Sequence, residues 1–120
     1  MWPLRLSAKQ KHGQRWEQAA LAHLQRHGLR LVEANFRCKG GEIDLVMRDG
    51  EALVFVEVRQ RADTAHGGAA ASITPAKQGR LLRAAQVYLQ RYDARLPPCR
   101  IDVVAIDGEH LEWLRNAIEA

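Results

Sequence analysis

Cysteine is scarce in this chain. Only Cys38 and Cys99 occur, with no Cys-x-x-Cys pair and no histidine at ligand spacing beside either, which argues against a zinc site built on thiolates. Two free thiols are expected. The five histidines show no spacing that suggests a ligand set, although His23 and His27 lie one helical turn apart. No apolar run approaches the ~20 residues that cross a bilayer, so no membrane partner is expected. The opening segment Met1-Trp-Pro-Leu-Arg-Leu-Ser-Ala-Lys lacks the basic, apolar, small-residue order of a secretory leader, and a cytoplasmic location is expected. Polar low-complexity bias is missing too. With 47% hydrophobic and 27% charged residues the chain should fold, and 120 residues suit one domain with one modest core.

What is present begins with a formal charge of +4, a surplus compatible with a phosphate backbone as partner. Residues 1–12 read as a flexible basic arm and 13–120 as the domain. Trp16, Ala20, Leu21 and Leu24 recur at helical spacing until Gly28 closes the segment. Leu29 to Phe36 and Glu42 to Met47 read as strands, and Asp49-Gly50 as a hairpin turn. The third strand, Leu53 to Arg59, is apolar at both parities in its first half, as a central strand covered on two faces would be. Arg61 to Ser72 reads as a loop bordering the site. Thr74-Pro75 starts a second helix, with Leu81, Ala84, Ala85, Tyr88 and Tyr92 as its buried stripe. Pro97-Pro98 precedes a fourth strand, Arg100 to Ile106, and a short apolar piece follows around Leu111 to Leu114.

The Asp49-Gly50 turn sets opposite each other residues whose numbers sum to 99, so Glu42 faces Glu57 and Asp44 faces Phe55. Alternation then projects Glu42, Asp44, Glu57 and Arg59 from one face. Like charges across a strand pair repel, and Glu57 lies inside the apolar run Val-Phe-Val-Glu-Val, so a positive partner is required. Arg59 supplies part of it, and a hard divalent cation would take the remaining oxygens. The plainer reading is a structural Glu57–Arg59 pair with Glu42 and Asp44 solvated. A one-residue bulge would send Asp44 to the other face.

Glu17 shares the inward stripe of the first helix, although an acid in a first turn is also favoured by the helix dipole. Lys77 is a cation in a first turn, where the dipole disfavours it by about 0.3–1 kcal/mol, and phosphate binding would give it a reason. Arg80 and Arg83 extend the basic surface, with Arg61 at the start of the loop after the third strand. Asp102, between Ile101 and Val103, is a partly buried acid expected to pair with a neighbouring cation. Gly40-Gly41 reads as a kink that brings backbone close to the acids.

Gly13-x-x-x-Glu17, Asn35-Phe-Arg, Gly-Gly-Glu42-Ile-Asp44-Leu-Val and Val54-Phe-Val-Glu57-Val-Arg59 together resemble the YraN family. Ser72-Ile, Lys77, the alanine-rich helix with Tyr88-Leu, and Arg100-Ile-Asp102-Val-Val continue the match. The resemblance implies the restriction-endonuclease-like αβββαβ core of the PD-(D/E)xK nucleases, an α/β fold with a mixed central sheet flanked by helices and related to Holliday-junction resolvases. It further implies Asp44 and Glu57 as acids for one or two Mg2+ or Mn2+ ions, Glu17 as an added helix acid, and Arg59 at the usual lysine position. Arginine does not give up its proton as lysine can, so Arg59 stabilises charge and cannot act as general base, whereas Lys77 could supply an amine.

The expected function is therefore metal-dependent hydrolysis of structured or branched DNA, with Arg61, Lys77, Arg80 and Arg83 seating the backbone. Two rivals stand beside it: a catalytically inactive nucleic-acid-binding module of the same fold, and a protein-interaction subunit. A homodimer would set two sites on opposed strands, with Leu111, Trp113 and Ile118 as a candidate patch.

Overall fold

In the computed structural model, which describes residues 8–61, 68–93 and 95–118, the apolar periodicities resolve into eight elements. These are α1 (Ala8–Arg26), β1 (Arg30–Cys38), β2 (Gly41–Asp49), β3 (Ala52–Arg61), α2 (Gly68–Ala71), α3 (Pro75–Leu89), β4 (Cys99–Asp107) and β5 (His110–Leu114). The strands form one mixed sheet in the order β1-β2-β3-β4-β5. β3 pairs antiparallel with β2 and parallel with β4, and the parallel pair is possible because α3 supplies the crossover between its strands. The chain thus has the α/β, restriction-endonuclease-like architecture that the motifs imply.

The central position of β3 follows from its composition. Leu53 and Phe55 pack with Leu81, Ala84, Ala85 and Tyr88 of α3, while Val54 and Val56 pack with Ala20 and Leu24 of α1. All nine side chains other than Ala85 (6%) are at most 2% exposed. Each of the larger ones is worth about 1.5–3 kcal/mol in removal from water, and together they fix which face of β3 meets which helix. Tyr88 stands edge-on to Phe36 and Phe55 at 5.2 and 5.7 Å between ring centres, locking α3 to β1 and β3.

Four details differ from the sequence expectation. Helix α1 starts at Ala8, so residues 8–12 of the supposed arm are helical, and residues 1–7 lie outside the described residues. Part of the supposed loop after β3 is the short α2, with residues 62–67 outside the described residues. The apolar piece at Leu111 is a fifth strand on β4. Leu111 and Trp113 pack into the core behind α1 and Ile118 into the core under α3, so they are not the exposed dimer patch expected of them.

The helix boundaries are those the local chemistry demands. Thr74 caps α3, its hydroxyl accepting from Lys77 N at 3.3 Å, with Pro75 in the first turn. Gly28, at φ +92, ends α1 in a conformation that favours glycine. No helix among the described residues is long and apolar enough to cross a membrane, and Cys38 and Cys99 are free thiols.

Candidate functional site

The β2–β3 turn is one residue further along than expected, and this decides which acids meet. Asp49 pairs with Ala52, so Gly50 and Glu51 form the turn, with Gly50 at φ +60 in its first central position. Paired numbers sum to 101 rather than 99 through Leu45↔Val56. A shift of two keeps every side chain on its face but replaces its partner. The expected Glu42–Glu57 and Asp44–Phe55 pairings are therefore incorrect, and one more step of the ladder would set Asp44 opposite Glu57.

That step is not taken as a regular pair. Val58 N–H donates instead to Asp44 Oδ2 at 2.8 Å, so the side chain of Asp44 closes the end of the β2–β3 ladder. The alternation of β2 slips at the same place: Ile43 and Val46 share the α3-side core although they are three apart, while Leu45 belongs to the α1 side. Across on β1, Ala34 and Phe36 pair with Leu45 and Ile43, and between them Asn35 takes a left-handed φ of 55°. The side-chain alternation thus slips at Asp44 with no extra residue in the β1–β2 register there, and the carboxylate is directed toward β3.

Beyond Asp44 the start of β2 leaves β3 and leans on α3. A Cβ on Gly41 would collide with the carbonyl oxygen of Arg80, so only glycine permits this approach. Between the parted strands and the start of α3 lies a concavity of about 490 Å³, lined by Arg37, Glu42, Glu57, Arg59, Lys77 and Arg80 among others. Arg83 stands beside it against Gly40.

Asp44 and Glu57 stand close enough for the charge of Asp44 to oppose ionisation of Glu57, so the two titrate as a pair. Burial, then the charge of Asp44, pushes Glu57 up to about 8, with Arg59 and Lys77 offsetting only part. Asp44 is raised to about 6, chiefly by burial, against the lowering effect of the Val58 N–H. Glu17 is raised as well, by its burial and by Asp44, while a side-chain hydrogen bond from Asn35 opposes the rise. Two of the predicted acids therefore feel Asp44 at the strand gap: Glu17 from the α1 side and Glu57 from β3.

Arg59 is held in place rather than left to solvent. Its Nε donates to Ser72 Oγ at 3.1 Å, and Ser72 Oγ donates to the Ala69 carbonyl at 2.6 Å, which gives α2 a purpose at the site. Lys77 is lowered by burial and by the neighbouring charges of Arg59, Arg80 and Arg61. Arg61 thus shares the electrostatic neighbourhood of the predicted cations while remaining exposed at the end of β3. Glu42 stands at the rim, 3.7 Å from Arg37 Nε.

Asn35, Arg37 and Ser72 entered the sequence reading within the motifs of the family resemblance, with no role at the site assigned to them. A signal existed only for Asn35, because asparagine tolerates the left-handed backbone found there. Asp102 pairs with a cation as expected, accepting from Arg100 Nε at 3.0 Å, but it is fully rather than partly buried. The histidine pair His23 and His27 is not simply solvated, since the rings lie 4.5 Å apart and edge-on to Trp113.

Residues 16–106, which contain every one of these site residues, match the family described as "Uncharacterised protein family UPF0102". The chain belongs to the UPF0102 family. A UPF0102 protein of Herminiimonas arsenicoxydans is 63% identical over 115 residues, covering 95% of this chain and 91% of that one. Another from Janthinobacterium sp. (strain Marseille) is 63% identical over 114 residues, covering 95% and 92%. A third, from Alkalilimnicola ehrlichii, is 59% identical over 109 residues, covering 90% and 86%. UPF0102, which is the YraN family of the motifs above, belongs to the restriction-endonuclease-like superfamily, in accord with this sheet and its crossover helix.

Proposed function

We propose that this UPF0102 chain is a cytoplasmic, metal-dependent endonuclease that hydrolyses phosphodiester bonds in structured or branched DNA. The observation that carries the reading is the meeting of two largely buried carboxyls, Asp44 and Glu57, beside a concavity walled by Arg37, Arg59, Lys77 and Arg80. A purely structural acid pair would be cheaper as one acid and one cation. A site that must hold a cation and also admit a phosphate needs this excess of acid ringed by bases.

Asp44 and Glu57 would hold the ion. Their hard oxygens and uncompensated negative charge suit Mg2+ or Mn2+. Mg2+ keeps several waters and leans on one or two carboxylates, so two acids are enough to hold it. When bound, such ions stabilise charge on phosphate oxygens and make water a better nucleophile at neutral pH.

The chain's own groups would do the rest. Arg59, braced by Ser72, neutralises charge developing on the phosphorus-bound oxygens. Glu17, raised by Asp44 and burial, accepts or returns a proton while orienting the attacking water. Lys77, whose proton is held less tightly than usual, is the amine nearest the role that lysine plays in related nucleases. Arg61, Arg80 and Arg83 seat the backbone without reading bases, so selectivity would come from DNA shape. A homodimer would present two such sites to opposed strands.

Incubation of branched, flapped and linear DNA with Mg2+ or Mn2+ tests the proposal. Cleavage of the structured substrates is expected, reduced about 100-fold or more in Asp44→Ala. DNA binding without cutting by wild-type protein under every metal condition would leave the inactive binding module instead.

A further inference from the structure

A second polar concavity, of about 620 Å³, opens near the other end of α3. Arg30 from β1, Arg48 from β2 and Arg95 from the segment after α3 converge on it, with Tyr92 beside them. Glu51 is the one acid in its lining, so three guanidiniums face a single carboxylate. Arg48 is preset: Nη1 donates to the Glu51 carbonyl at 2.9 Å and Nη2 to the Tyr92 hydroxyl at 3.2 Å. Accepting that bond leaves the tyrosine's own O–H free to donate. Arg30 and Arg95 are exposed, and among the described residues no carboxylate forms a salt bridge with either.

The position of this concavity gives it meaning. Lys77 and Arg80 at the start of α3 line the acid-bearing concavity, and Tyr92 and Arg95, just past its end, line the second. Exposed Arg80 and Arg83 extend along the helix between them, followed by Arg91, whose charge is largely spent on Glu33 at 3.0 Å. From Lys77 to Leu89 the helix rises about 18 Å. That is about five base-pair steps of duplex at 3.4 Å each. Planar guanidiniums with spare donors are suited to phosphate oxygens, which they bind as a fork.

We propose that Arg30, Arg48 and Arg95, with Tyr92, form a second seat for the phosphate backbone, so that duplex held at the acid site continues along α3 to this concavity. The inference rests on the nuclease reading above and adds to it a minimum duplex length.

Fluorescence anisotropy with labelled DNA across a salt series tests it, comparing wild-type protein with Arg30→Ala/Arg95→Ala. Both positions are exposed, and an unchanged melting temperature verifies folding. On a duplex of about 20 bp, the double variant should bind about 10-fold more weakly, with the salt slope shallower by about two. On a hairpin stem of about 4 bp, which at about 10 Å is too short to reach from one seat to the other, the two proteins should bind alike. The charge-keeping variant Arg30→Lys/Arg95→Lys should retain most of the slope. Wild-type binding that the double substitution leaves unchanged on the long duplex would overturn the second seat while leaving the acid site untouched. Loss of equal size on the short stem would also overturn it, because the contacts would then belong to the first seat. No wild-type binding to any DNA at low salt would remove the nuclease reading and this inference together.

Discussion

Asp102 on β4 and the Asp44–Glu57 pair at the gap between β2 and β3 are acids of one sheet, and the protein treats them in opposite ways. Asp102 is fully buried and fully answered: Oδ1 accepts from Arg100 Nε and Asn116 N, and Oδ2 from Trp113 Nε1 at 2.9 Å. Asp44 and Glu57 are buried against each other, and each is pushed up by that burial. A satisfied buried charge ties strands together; an unsatisfied pair beside an opening stores a demand for positive charge. The difference separates the acid that holds the fold from the acids proposed to serve the site.

The largest effect should come from the satisfied acid. Asp102→Ala takes the acceptor from Arg100 Nε, Trp113 Nε1–H and the Asn116 N–H, leaves Arg100 its ion pair with Asp49 at 3.0 Å, and should cost about 3 kcal/mol in urea unfolding. Next comes the frustrated pair, with the opposite sign. The folded-state value of Glu57, about 8, lies above its ordinary 4.5, so its contribution to stability is complete below pH 4.5 and is lost as pH rises through 8. Glu57→Gln should flatten that dependence. In metal-free buffer above pH 8 the variant should be the more stable protein by about 2–4 kcal/mol. Equal and destabilising effects of the two substitutions would erase the contrast between the acids. The smallest effect belongs to the rim: Lys77→Ala should leave stability almost unchanged and reduce the salt slope of DNA binding by about one.

Much of this was legible in the sequence, for reasons that can be named. β3 announced its central place because Leu53 to Val56 are apolar at both parities, a pattern that only two-sided burial rewards. The shared face of Asp44 and Glu57 survived a misplaced turn, since moving the turn from Asp49-Gly50 to Gly50-Glu51 changes the register by two and leaves side-chain parity intact. The pairing itself did not survive, because Asp-Gly and Gly-Glu turns cannot be separated by local chemistry when a glycine is available to either. The slip at Asp44 was hidden for another reason. It depends on Gly41 lying against the backbone of α3, a contact between elements far apart in sequence. The brace of Ser72 on Arg59 was hidden in the same way, since a serine after a run of alanines carries no local mark of its partner. The second concavity escaped notice because Arg30, Arg48 and Arg95 come from three separate segments that only the fold assembles.

The central claim is that Asp44 and Glu57 carry negative charge that a divalent cation is needed to answer. Carboxyl 13C NMR of the wild-type protein, titrated with pH in the absence and then the presence of Mg2+, addresses it directly. Without the ion, Asp44 and Glu57 should titrate together near 6 and 8; with it, both transitions should fall below the ordinary carboxylate range. Transitions that stay where they are at saturating Mg2+, or that already lie in the ordinary range without it, would contradict the account.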